Sequence, residues 1–174
     1  LGVNVHGLGV SRAPADDVVE EIASAGGIAI ANYDNVALPR GAQNIMGTAI
    51  ENFGQVDILV NNAGIQTHNE VFDITDEEWD LMMKVHLYGT FYCTRAVCQT
   101  MMKQRYGRII NTSSISGMGQ IEQAHYAAAK EGIVGFTRSV AKELSNFGIT
   151  CNAIRPRAGT RMSLGEFYQS MVRR

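Results

Sequence analysis

Apolar residues fall along this chain in two alternating rhythms. Short β-branched runs recur at residues 3–6, 28–32, 56–61, 108–112 and 149–155. Between them lie longer stretches with apolar positions three and four apart, roughly 14–25, 41–53, 76–104 and 123–146. Strand-like and helical runs in turn predict an α/β fold, a doubly wound parallel sheet with helices on both faces. Pro14 stands near the start of the first helix, where its missing N–H costs nothing, and Gly26-Gly27 close it. Thr75-x-x-Glu78 reads as a capping box opening the third helix.

The third helix is apolar nearly all round, with Trp79, Leu81, Met82, Val85, Leu87 and Phe91 on different faces. Such a helix is expected to bury one side on the sheet and the other on a partner subunit. The fourth carries Ala127, Ala128, Gly132 and Gly135. Two glycines inside a helix cost roughly 1 kcal/mol each against alanine, and close approach of a neighbouring backbone or ligand would account for them. Both helices read as subunit-interface material, giving a homodimer or homotetramer.

At 174 residues the chain suits one domain, 1–174, with a sizeable core. Hydrophobic content of 45% against 18% charged describes a globular protein, and no segment matches a membrane span of about 20 apolar residues. A net charge of −2 offers no surface for nucleic acid. Cys93, Cys98 and Cys151 lie in apolar runs without metal-ligand spacing and read as buried free thiols, so no metal is expected. That usage gives a cytoplasmic reading, with peroxisomal as the alternative.

The candidate chemistry centres on Tyr126-Ala-Ala-Ala-Lys130, preceded by Ser113-Ser114. A tyrosine and a lysine four apart share one helix face. A phenol has an unperturbed pKa of about 10, and a neighbouring ammonium favours its phenolate. A serine hydroxyl beside them can hold an alcohol or carbonyl oxygen while the proton moves. Residues 107–114 read as a strand running into a Ser/Gly-rich loop, so Ser114 falls at a strand's carboxyl end, where open α/β sheets bind ligands.

With Asn61-Asn62-Ala63-Gly64 following a strand, Ser114, Tyr126 and Lys130 resemble the motif set of the short-chain dehydrogenase/reductase family. The resemblance implies a Rossmann-like fold and hydride exchange between NAD or NADP, NAD favoured, and a small-molecule secondary alcohol or ketone. It implies Ser114, Tyr126 and Lys130 as catalytic residues. Asp34, Asn62, Ala63, Gly64, Tyr126, Lys130, Pro156 and Thr160 are implied as the cofactor-binding set. Residues 31–36, 85–87 and 156–162 are similar to the (3R)-hydroxyacyl-CoA dehydrogenase module of peroxisomal multifunctional enzymes and to related bacterial members, which makes 3-hydroxyacyl-CoA a candidate substrate.

The sequence departs from the family pattern at several points. The family's first strand, its Gly-rich turn and its last strand have no counterpart here. His6-Gly7 replaces the ribose-binding acid, with Arg12 close by, and the loop from Ser114 to Tyr126 is one residue short, leaving Ser113 as an alternative serine. His86 aligns with the family's active-site asparagine. It reads either as a packed helix histidine or as a proton relay that titrates around pH 6.5. Asp34 either lies near adenine or closes a turn with Asn35, while His68 and His125 read as surface residues. The alternative to an enzyme is a non-catalytic relative serving as a dimerisation or scaffold domain.

Overall fold

Three of the β-branched runs pair into a parallel sheet. The computed structural model describes residues 11–157, and its sheet is ordered β1 (Ile58–Asn61), β2 (Gly107–Thr112), β3 (Ile149–Ile154). Ile58 stands opposite Arg108 and Asn61 opposite Asn111, while Asn111 faces Ala153 on the other side. Gly107, Ile109 and Asn111 of the central strand are buried, and its intervening residues are half-buried. Leu59, Ile109 and Cys151 share the buried face, whereas Ile58, Val60 and Ile154 of the flanking strands are 59%, 53% and 46% exposed, so the described helices cover one face more fully than the other.

Among the described residues five α-helices accompany the sheet: α1 (Ala13–Ser24), α2 (Pro39–Phe53), α3 (Asp76–Met83), α4 (Gly89–Gln104) and α5 (Ala124–Leu144). Proline occupies the first turn of α1 and of α2. At α3 the capping box forms as expected, with the Glu78 N–H donating to Thr75 Oγ1 and the Thr75 N–H to the Glu78 carboxylate. The main core gathers Val97 and Met101 of α4, Ile109 of β2, Val140 and Leu144 of α5, and Ile149 of β3. Gly107 lets α4 approach the sheet closely, since a Cβ there would lie 2.4 Å from Met101 Sδ.

Two expectations need correction. Residues 28–32 form no strand, and Ile28 is 82% exposed. A β-branched run becomes a strand only where a neighbour offers backbone partners and a covering face, and no described strand reaches this segment. The run at 3–6 lies outside the described residues. The helix expected over 76–104 is interrupted by a π-helical turn, Lys84–Tyr88, which separates α3 from α4. Its apolar residues are also buried on one side only within the single chain: Met82 and Met101 are fully enclosed, whereas Trp79 is 39% and Tyr88 46% exposed.

The two glycines of α5 differ. A Cβ on Gly132 would lie 3.1 Å from Leu87 Cδ2, whereas Gly135 has nothing within 4 Å in this chain. Gly148, which caps the helical segment before β3, combines a φ of 74° with a Cβ site 2.4 Å from the Arg105 carbonyl oxygen. Gly148→Ala therefore meets both backbone strain and a backbone clash. It is expected to lower unfolding stability by about 2 kcal/mol or more, read as a lower denaturant midpoint with an unchanged slope.

Candidate active site

The last residues of β2 organise the site. The Ser113 N–H donates to the Ile154 carbonyl at 2.8 Å, continuing the strand pairing beyond Thr112. Ser113 is buried, and its hydroxyl donates to the Lys130 carbonyl at 2.8 Å. Ser113 is thereby committed to holding α5. Ser114 is half-buried and opens the turn Ile115–Met118, its Oγ accepting from the Ser116 N–H at 3.2 Å. That bond leaves the Ser114 hydroxyl proton uncommitted, which suits it to donate toward an incoming oxygen.

Tyr126 and Lys130 lie on the buried face of α5. Lys130 Nζ is 5.5 Å from the Tyr126 ring centroid and donates to the Thr112 carbonyl at 2.7 Å. Burial lowers the Lys130 pKa to about 8, so the ammonium persists at neutral pH although it is enclosed. This is the Tyr/Lys pairing that the spacing of four predicts.

His86 projects inward from the π turn and meets the Tyr126 ring edge-on, centroids 5.2 Å apart at 85°. Its Nε2 is 2.8 Å from the Ile65 carbonyl oxygen and 3.2 Å from the Ile65 nitrogen, and the shorter contact assigns the ring proton to Nε2. Nδ1 is then a buried acceptor without a hydrogen-bond partner in the described structure. Burial first, and the Lys130 charge second, lower the His86 pKa to about 3. The titration expected around pH 6.5 is therefore displaced far to the acid side. Gly64 must be a glycine here, because a Cβ would lie 2.6 Å from His86 Cε1.

The remaining candidates are less tightly grouped. Asn62 accepts from the Thr112 hydroxyl at 3.1 Å, and Asn62 and Ala63 line an open recess with Val36, Val85, Gly89 and Thr90. Asp34, two residues from Val36, accepts from the Asn44 amide at 2.8 Å, while Asn35 closes its own turn on the Ala37 N–H. Arg12 stacks over the Tyr33 ring at 4.6 Å. Pro156 lies two residues beyond the end of β3 and is exposed, whereas Thr160 lies outside the described residues.

His125 corrects the surface reading given to it. It is fully buried, and its Nε2 lies 2.6 Å from Thr67 Oγ1, joining the loop after Gly64 to the start of α5. Burial lowers its pKa. Its partner is 58 residues away in sequence, so no local spacing signalled the contact. His68, by contrast, is exposed as expected.

A parallel sheet with flanking helices and a serine, tyrosine and lysine at one strand end define a Rossmann-like dehydrogenase architecture. The family model described as short chain dehydrogenase matches residues 1–164. The chain is 46% identical over 164 residues to peroxisomal multifunctional enzyme type 2 of Mus musculus, covering 94% of this chain and 22% of that protein. It is 45% identical over 147 residues to a 3-oxoacyl-acyl-carrier-protein reductase of Synechocystis, covering 84% of this chain and 60% of the reductase. Among solved structures, a short chain dehydrogenase from Mycobacterium avium superposes with a TM-score of 0.83 at 42% identity, over 92% of this chain and 58% of that one. NAD+-bound xylitol dehydrogenase superposes at 0.85 and 27% identity, over 94% and 65%. The chain thus belongs to the short-chain dehydrogenase family of oxidoreductases, and it spans about a fifth of the mouse enzyme's length.

The depressed His86 pKa has a consequence for stability. Folded His86 stays neutral down to about pH 3, whereas an unfolded histidine binds a proton below about 6.5. The unfolded state then holds more protons between those values, so stability falls as pH drops below 6.5. His86→Asn is expected to flatten the stability-versus-pH curve between pH 6.5 and 4, measured by urea unfolding at a series of pH values.

Proposed function

We propose that this protein transfers a hydride between a nicotinamide cofactor and a secondary alcohol or ketone. The observation that carries this reading is a buried lysine ammonium held beside a tyrosine on one helix face, next to a half-buried serine at a strand end. A buried charge is costly to retain, and a non-catalytic scaffold would have no use for one placed against a phenol. The recess beside Asn62 and Ala63, whose lining includes Val36 two residues after Asp34, suits the adenosine portion of a dinucleotide. NAD is favoured over NADP because Arg12, the basic residue close in sequence to His6-Gly7, stacks over the Tyr33 ring at 4.6 Å.

The cofactor, when bound, supplies or accepts the hydride. Tyr126 gives its phenolic proton to the forming alkoxide in reduction and takes the alcohol proton in oxidation. Lys130 lowers the cost of the phenolate through its charge. Ser114 donates its hydroxyl hydrogen to the substrate oxygen and fixes its position. His86, neutral and with a bare Nδ1, offers a hydrogen-bond acceptor behind Tyr126 without adding a second positive charge. The similarity of residues 31–36, 85–87 and 156–162 to the (3R)-hydroxyacyl-CoA dehydrogenase module favours a 3-hydroxyacyl thioester as the substrate class, carried on coenzyme A.

Tyr126→Phe keeps the ring's packing against His86 and removes only the proton carrier. It is expected to lower kcat by at least about 10³-fold with cofactor affinity and thermal midpoint nearly unchanged. A rate within tenfold of the parent would remove the catalytic assignment. The exposed aromatic face of Trp79, Tyr88 and Phe91, with Gly135 open on α5, is proposed to pair across a two-fold axis. Light scattering at micromolar concentration is expected to show a dimer or tetramer, and a monomer would leave that face without a role.

A further inference from the structure

Arg155 stands immediately after β3 and spreads its guanidinium between two partners. One terminal nitrogen donates to the Ser114 carbonyl at 3.3 Å, and the other meets Glu131 Oε2 at 2.6 Å. Glu131 is the residue after Lys130, and Ser114 is the serine placed against the substrate oxygen. Gly117 closes over the pair, since a Cβ there would lie 3.2 Å from Glu131 Oε2 and 3.4 Å from Arg155 Nη1. The end of β3, the Ser114 turn and the helix bearing Tyr126 and Lys130 thus meet at one side chain.

We propose that Arg155 is a positioning residue, bridging the Ser114 backbone to Glu131 and so setting where the Ser114 hydroxyl lies relative to Tyr126 and Lys130. The inference rests on the catalytic reading of those three residues. The ion pair itself adds little stability, because the Arg155 and Glu131 side chains are 28% and 47% exposed. Its effect is geometric. The Ser114 hydroxyl is on a turn whose own bonds are local, from Ser116 to Ser114 and from Gly119 to Ser116. Arg155 ties that turn to α5 from outside. A planar fork reaches both partners at once, whereas a lysine offers a single point charge and reaches one.

The test compares Arg155→Met, Arg155→Lys and Glu131→Gln in the full chain. Both Arg155 variants are expected to lose about tenfold or more in kcat, as small displacements of a reacting group do. The KM for the nicotinamide cofactor should stay within about twofold, and the thermal midpoint within about 2 °C, as a weak surface pair implies. Glu131→Gln should lose less in the same direction, and combined with Arg155→Met it should be no worse than Arg155→Met alone, because the two act as one unit. A readout independent of turnover is hydrogen exchange at the Ser116 amide, which should accelerate about tenfold or more in Arg155→Met as the turn loosens.

Parental kcat in Arg155→Lys, additive losses in the double variant, unchanged exchange at Ser116, or a fall in thermal midpoint that tracks kcat would each overturn the proposal. Tyr126→Phe is assayed alongside. If it retains the parental rate, the catalytic reading itself fails. If it is inactive while Arg155→Met is fully active, only the role of Arg155 is lost.

Discussion

Three consecutive residues at the carboxyl end of β2 hold α5 at three points, and the site depends on that attachment. Asn111 donates to Thr137 at 2.9 Å, the Thr112 carbonyl accepts from Lys130 Nζ at 2.7 Å, and the Ser113 hydroxyl donates to the Lys130 carbonyl at 2.8 Å. Lys130 is therefore gripped through both its side chain and its backbone. A buried ammonium left without such a partner would cost several kcal/mol, so the helix cannot rotate or slide without a large penalty. Tyr126, one turn earlier, inherits this fixed position. The same strand end reaches the other way: the Asn61 amide donates to Asn111 Oδ1 at 2.8 Å, and Thr112 donates to Asn62. The Asn61–Gly64 segment and the helix bearing Tyr126 and Lys130 are thus referenced to one short stretch of backbone.

Sequence made legible what depends on local spacing. The α5 face shared by Tyr126 and Lys130 follows from a separation of four, and the Thr75 cap follows from a separation of three. The choice between Ser113 and Ser114 was not legible, because adjacent residues at a strand end face opposite ways and only the phase of the strand decides which one faces the site. The residues 28–32 were misread for a different reason. Their composition suits a strand, but pairing is a property of two segments, and the described sheet supplies no neighbour for them. His125 was misread because its Thr67 partner is remote in sequence, and Arg155 went unnoticed for the same reason with respect to Glu131 and Ser114.

The π turn at Lys84–Tyr88 shows a helix yielding to its contents. A continuous helix over 76–104 would satisfy its own backbone better. The widened turn instead carries His86 inward while its neighbours Lys84 and Tyr88 stay exposed. Such turns often mark functional positions. Here the inward ring is large, and room for it is made on the other side by Gly64, where any Cβ would strike the imidazole. The glycine of the Asn-Asn-Ala-Gly motif and the histidine on the helix are therefore coupled: a side chain on one requires a smaller group at the other.

Burial acts on both basic groups of the site but leaves them in different states. Lys130, lowered to about 8, still carries its proton at pH 7, whereas His86, lowered to about 3, does not. The difference arises because an ordinary lysine holds its proton to far higher pH than an ordinary histidine, and because the Lys130 charge adds to burial in lowering His86. Two adjacent cations in a dry pocket would repel, so protonating Lys130 suppresses protonation of His86. The site then presents one positive charge, on the side of Tyr126 that faces Thr112, and one neutral ring against the tyrosine. In the proposed mechanism a phenolate forming at Tyr126 is stabilised by that single charge, and the neutral imidazole can accept a hydrogen bond without competing for it. An asparagine at residue 86 would also be neutral. The histidine meets the same electrostatic condition through burial first, with the charge of Lys130 adding to it.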